Sequence, residues 1–110
     1  MSCEEKAVSI LKNIVKKFEE PRVSDMFKGY DKKIEIRLED VKKSFIIRIK
    51  NGSAEFFEAS GEKVDASLIT DCNTFLGVVK REIDASQAYI DGRVRVEGSL
   101  SLIIDLAGLF

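Results

Sequence analysis

The chain has 110 residues, with 18 Lys plus Arg against 19 Asp plus Glu for a formal net charge of −1, two cysteines and no histidine. Balanced charge lacks the basic footprint of a general nucleic-acid binder, so nucleic acid is not an expected partner. Without histidine the commonest general base and a leading zinc ligand are missing, which argues against most familiar hydrolase and metalloenzyme arrangements; no metal site and no cofactor are expected.

The length fits one domain, residues 1–110, with a single core. The glycines fit neither the dinucleotide fingerprint nor the P-loop spacing. No apolar run approaches the roughly 20 residues needed to cross a bilayer, and Met1 to Lys6 carries no basic-then-apolar signal, so a soluble, cytoplasmic protein is expected. In that compartment Cys3 and Cys72, lacking metal-ligand spacing, read as two reduced thiols.

Ser2 and Glu5 have the form of a capping box, and Ala7, Ile10, Leu11, Ile14, Val15 and Phe18 follow at helical spacing until Pro21. The first element is therefore an amphipathic helix whose lysines, Lys12, Lys16 and Lys17, form a solvated face. Ser24 to Tyr30 reads as a capped turn stopped by Gly29, with Met26, Phe27 and Tyr30 plugging the core. From Ile34 the period becomes two: Ile34, Ile36 and Leu38 face one way and Glu35, Arg37 and Glu39 the other.

Asn51-Gly52 suits a two-residue type I′ hairpin turn. It would set Ile49 opposite Ala54, Ile47 opposite Phe56 and Arg48 opposite Glu55. Phe45, Ile47, Ile49 and Phe56 then share the apolar face, while Ile46 and Phe57 leave a smaller outer patch that would suit a second copy of the chain in a homodimer.

A fourth strand is expected near Val64 to Thr70, then a helix capped by Asp71 that presents Phe75, Leu76, Val79 and Ile83. Asp84 with Gln87 repeats the capping-box pattern for a short helix containing Ala88, Tyr89 and Ile90, closed by Gly92. A fifth strand points Val94 and Val96 inward and Arg93, Arg95 and Glu97 outward; Ser99 caps the last helix. In that helix Ser101, Asp105 and Gly108 share one narrow face, and Leu100, Leu102, Ile103, Ile104, Leu106, Ala107, Leu109 and Phe110 cover the rest. Such a helix needs apolar company on several sides, from a sheet, other helices, an oligomer partner or a greasy ligand.

Several residues together carry a family resemblance: Asp65-Ala66-Ser67-Leu68-Ile69-Thr70, Phe75-Leu76, Ser86-Gln87-Ala88-Tyr89, and the Gly92 to Gly98 strand leading into an apolar helix, with Lys50-Asn51-Gly52 as a weaker match. On these, the C-terminal part resembles the sterol carrier protein 2 family, the sterol-binding or sterol-transfer domain. The chain departs from the family pattern at Arg93, Ser99 and Ala85, where lysine, an acidic residue or asparagine, and proline are usual. Its final Gly108-Leu109-Phe110 is not a peroxisomal address.

The resemblance implies an α+β fold: a five-stranded, twisted, mostly antiparallel sheet covered on one face by helices, with a hydrophobic tunnel between the layers. It implies a non-enzymatic lipid-binding or lipid-transfer protein whose partner is a long-chain lipid, a fatty acyl chain, acyl-CoA or sterol-like molecule, with membrane contact at most transient. Carried over by element, the lining is Phe75, Val79, Ile83, Tyr89, Ile90, Val94, Val96, Leu102, Ile103, Leu106 and Phe110. Arg93, Arg95 and Lys80 are candidates for a head group at the mouth. The alternative is a protein-binding or accessory assembly module with the tunnel mostly filled. No catalytic residue is assigned; the weak case for an enzyme rests on Cys72 at a helix start, where the helix dipole lowers a thiol pKa.

Overall fold

The computed structural model describes residues 1–109. The first helix, α1 (Cys3–Lys17), starts on a complete capping box in which Ser2 Oγ accepts from the Glu5 N–H at 3.1 Å and Glu5 Oε1 accepts from the Ser2 N–H at 3.0 Å. Its buried stripe is Ala7, Leu11 and Ile14.

The next helix, α2 (Pro21–Met26), corrects the expected turn. It begins at Pro21, not at Ser24, because a proline at the first helical position gives up only an N–H that the helix leaves unpaired anyway. Phe27 and Tyr30 do plug the core, with Phe27 5.0 Å from Phe18 and 4.9 Å from Tyr30 between ring centroids, but Met26 is exposed.

Four strands and a helix follow: β1 (Asp31–Leu38), β2 (Lys43–Lys50), β3 (Ser53–Glu58), β4 (Ala66–Thr70) and α3 (Cys72–Val79). The chain then forms α4 (Ala85–Ile90), β5 (Val94–Gly98) and α5 (Leu100–Ala107). The strands order as β3-β2-β1-β4-β5, with β1 and β4 parallel and the other neighbours antiparallel. The Asn51-Gly52 turn has the expected positive φ at both residues, 48° and 83°, and sets the expected pairs Ile49 with Ala54, Ile47 with Phe56 and Arg48 with Glu55.

Register aligns one apolar row across four strands, β2, β1, β4 and β5, as Phe45, Ile36, Leu68 and Val96, with Leu38, Thr70 and Val94 in the next row. This face belongs to the same buried cluster as Leu11, Phe75, Leu102 and Leu106, so the helices cover it.

The opposite face is polar. Glu35 there accepts from Arg37 at 3.0 Å and from Ser67 Oγ at 2.7 Å, and Arg95 pairs with Glu39 at 2.7 Å. Ile46 and Ile69 also lie on it, and both are buried without belonging to the helix-covered cluster. The expected outer apolar patch is thus reduced: Ile46 is only 1% exposed, flanked in register by Phe57 and Glu35, and Phe57 is half-buried.

Cys3 and Cys72 form a disulfide, which corrects the expectation of reduced thiols. Helices α1 and α3 pack with these two ends together, at a Cα separation of 6.2 Å that lies within disulfide reach. Cys72 is therefore no free nucleophile. Its N–H is also held, by Asp40 Oδ1 at 2.9 Å.

Candidate binding cavity

Between the sheet's β1, β4 and β5 and the helices α3, α4 and α5 lies a cavity of about 310 Å³. Its floor is Ile36, Leu68, Thr70, Val94 and Val96, the inner-face positions of three adjacent strands. One wall is Phe75 and Val78 of α3, and the opposite one is Ile103, Leu106 and Ala107 of α5. The mouth is made by Ala85, Ser86, Tyr89 and Ile90 of α4 with Leu100 and Ile104 of α5, all exposed. Ile90 is 74% exposed, Ile104 60%, Tyr89 49% and Leu100 43%, so four large apolar side chains crowd one opening.

Local sequence explains the arrangement. Ser99 Oγ caps α5 by accepting from the Leu102 N–H at 3.3 Å, and Gly98 just before it has φ 76°. A side chain at Gly98 would collide with the Asp65 carbonyl oxygen, so only glycine lets β5 turn this closely against the start of β4. On the far side, Tyr30 Oη donates to Asp105 Oδ2 at 2.9 Å, which ties α5 to the segment entering β1 and raises the Tyr30 pKa, chiefly through that bond.

The interior has few polar groups. Thr70 Oγ1 donates to the Arg93 carbonyl at 2.8 Å and is thereby committed. Beside it Asp71 caps α3, accepting from the Thr74 N–H at 3.0 Å and from its hydroxyl at 2.5 Å, while Arg93 donates to Thr74 Oγ1 at 3.3 Å. Burial pushes the Asp71 pKa up, but the Thr74 hydrogen bonds and the nearby Arg93 charge outweigh it and hold it below the ordinary value.

Of the expected lining, Phe75, Tyr89, Ile90, Val94, Val96, Ile103 and Leu106 meet around this cavity. Leu102 and Val79 do not line it: Leu102 is buried in the main core, and Val79 is partly buried and packs against that core. Ile83 is not on α3 at all. The helix ends at Val79, Arg81 takes a φ of 62°, and the chain folds back so that the N–H groups of Glu82 and Ile83 both donate to the Gly77 carbonyl. Ile83 then fills the space a side chain at Gly77 would need. Phe110 lies outside the described residues.

The expected head-group cations divide. Arg95 points to the opposite sheet face with Glu39, Arg93 is turned to Thr74, and Lys80 is an exposed C-cap. The α4 capping box is also not formed, since Asp84 makes no side-chain cap bond and Gln87 bonds Asp91 instead at 2.8 Å.

Sequence reasoning missed Ile36, Leu68, Thr70, Val78, Ala85, Ser86 and Ala107 as lining. Strand alternation offered the first two. It read Leu100 and Ile104 as needing cover without placing them at the mouth. Among the described residues no group of His, Cys, Asp and Glu could hold a metal, and no helix is long and apolar enough to cross a membrane.

The family model of the SCP-2 sterol transfer family matches residues 11–110. Comparison with curated protein sequences finds no match. Among solved structures, the inverting sec-alkylsulfatase Pisa1 from Pseudomonas sp. is similar at 23% identity and a TM-score of 0.69. That match covers 79% of this chain and 14% of the alkylsulfatase, so the chain spans a small fraction of that protein. Sterol Carrier Protein 2 Like 2 from Aedes aegypti is similar at 14% identity and a TM-score of 0.67, over 99% of this chain and 100% of that one. Sterol carrier protein 2 from Yarrowia lipolytica is similar at 15% identity and a TM-score of 0.65, over 91% and 83%. At these identities the likenesses establish the fold alone.

Proposed function

This chain belongs to the SCP-2 sterol transfer family, and on that premise we propose that it binds a lipid non-enzymatically, its cavity enclosing a fatty acyl chain, an acyl-CoA tail or a sterol-like group. The observation that carries this reading is the combination of a 310 Å³ apolar cavity with a mouth of exposed large apolar residues in a domain of 110 residues. Without a ligand the apolar walls lose dispersion contacts, so a ligand that fills the hollow is expected to raise stability. Each methylene moved from water into the cavity returns roughly 0.8 kcal/mol, so tail burial drives binding and needs no chemistry. The lining we assign is Phe75, Tyr89, Ile90, Val94, Val96, Ile103 and Leu106. Membrane contact on this reading is transient, made while the mouth accepts or releases a tail.

Native mass spectrometry of freshly purified protein, followed by organic extraction, tests the proposal. An aliphatic adduct that extraction removes, and that added lipid restores, supports it. Protein free of adduct and unchanged in melting temperature by fatty acid, alcohol or sterol contradicts it.

A second reading, an accessory module that docks onto another protein, takes support from the alkylsulfatase, where a similar fold occupies a fraction of a longer chain. It predicts that the exposed Ile90 and Ile104 are covered in an oligomer. Purification as a lipid-free, obligate oligomer, read by light scattering, would favour it over the carrier.

A further inference from the structure

The sheet has two edge strands, β3 and β5. A sheet edge offers a row of backbone donors and acceptors that another strand can pair with. On β5 the phase of that row follows from its neighbours. The Glu39 N–H donates to the Thr70 carbonyl at 3.0 Å, so Thr70, Leu68 and Ala66 turn their peptide groups toward β1, while Ser67 and Ile69 turn theirs toward β5. The Ser99 N–H donates to the Asp65 carbonyl at 3.1 Å, in the same phase. Ser67 pairs with Glu97 and Ile69 with Arg95, so these two β5 residues are engaged by β4. The peptide groups of Val94 and Val96 and the Gly98 N–H therefore point out of the sheet. Among the described residues, none outside the sheet is hydrogen-bonded to them.

Side-chain charge then decides what can pair there. Arg95 and Glu97 stand exposed on the polar face of β5, and Val96 between them lies on the cavity face. Two copies of β5 laid antiparallel about Val96 set Arg95 opposite the partner's Glu97 and Glu97 opposite the partner's Arg95. Both pairs fall at non-hydrogen-bonded positions, where facing side chains come closest. Sliding by two residues in either direction puts Arg95 opposite Arg95 or Glu97 opposite Glu97, and sliding by one turns the polar face onto the cavity face. Within the chain Arg95 lies 2.7 Å from Glu39 and Glu97 lies 3.9 Å from Arg37, but such exposed pairs are weak and leave both side chains free to be shared. The other edge lacks this match: the charged residues of β3 are Glu55 and Glu58, so a second β3 offers them no cation.

We propose that β5 is a self-association edge, through which two copies of this chain pair antiparallel about a twofold axis at Val96 and join their sheets into one. The two Val96 backbones exchange hydrogen bonds, and each Gly98 N–H donates to the partner's Val94 carbonyl. Ile90, Leu100 and Ile104 line the same cavity as Val94 and Val96, so the partner brings a second set of these exposed apolar side chains to the other side of the axis. The contact between copies is thus at the sheet edge and not at the Ile46 and Phe57 patch. It rests on the edge alone and is independent of the lipid-binding reading.

Sedimentation equilibrium of the unmodified chain and of two charge variants tests this. Arg95→Glu leaves only acidic charge on the strand and Glu97→Arg only basic, so each is expected to weaken self-association at least about tenfold. Mixing the two variants is expected to restore a dimer that contains one of each, because every facing pair is then of opposite sign. In the unmodified chain, hydrogen exchange at the Val96 and Gly98 amides is expected to slow as concentration rises, a readout that needs no substitution. A chain that stays monomeric to about 1 mM, a dimer equally stable in both single variants, variants that do not combine, or edge amides indifferent to concentration would each overturn the proposal. None of these outcomes bears on lipid uptake, which the adduct measurement decides separately.

Discussion

Glu35 sits on the outer sheet face with a side chain only 14% exposed, between Arg37 and Ser67. Burial alone would raise its pKa, but the hydrogen bonds from Arg37 and Ser67 and the Arg37 charge outweigh burial and leave it below the ordinary carboxylate value. A carboxylate with a depressed folded pKa adds stability that is present above its unfolded value and is lost as pH falls through the folded value. Glu35→Gln should therefore cost about 1 kcal/mol at neutral pH, a modest figure because Arg37 is more than a third exposed. In urea titrations run from neutral to acid pH the gap between the two proteins should close as Glu35 protonates. A gap that stays constant would show that the carboxylate is not what matters. Gly98 is the other position where one residue fixes the site, through its positive φ and its approach to Asp65. Gly98→Ala should lower stability by about 2 kcal/mol and displace the start of α5; a melting temperature equal to the parent's would refute the steric account.

At the scale of elements, the disulfide joins the starts of α1 and α3 across a sequence separation of 69. Closing a loop of that length stabilises by about 4 kcal/mol in the chain-entropy account. Reduction, or Cys3→Ser with Cys72→Ser, should then lower the melting temperature on the order of 15 °C. A smaller shift than a few degrees would mean that packing alone holds the two helices. α5 presents Leu106 to the cavity although the residue is buried. Leu106→Trp should fill that space and abolish lipid binding while costing no more than about 1–3 kcal/mol; outright unfolding would indicate a solid interior.

Local rules made much of this readable. The Asn51-Gly52 turn determined strand register, two-residue alternation sorted the sheet faces, and Ser2, Asp71 and Ser99 marked helix starts that their cap bonds bear out. What escaped depended on distant geometry. The two cysteines are brought together only by helix packing, Ile83 leaves α3 because the chain reverses at Arg81, and Leu102 faces the core because α5 turns Ile103 and Ile104 toward the cavity. A hydrophobic stripe shows that a helix is covered, but not whether by side chains or by space.

The whole molecule is a sheet with two unlike faces. One is sealed by charged and half-buried side chains, including the Arg37–Glu35 pair, and the other is covered by helices that close over the β3 to β1 side yet part over β4 and β5. On the lipid-binding reading proposed above, a lipid tail resides in this parting. Methyl-labelled NMR with a filtered NOE experiment tests it most directly, by titrating decanol into protein labelled at Ile, Leu and Val. The account predicts contacts from the tail to Ile103, Ile104, Val94 and Leu68, with Ile46 and Ile69 on the opposite face unaffected. Tail contacts at Ile46 or Ile69, or none at the α5 methyls under saturating ligand, would contradict it.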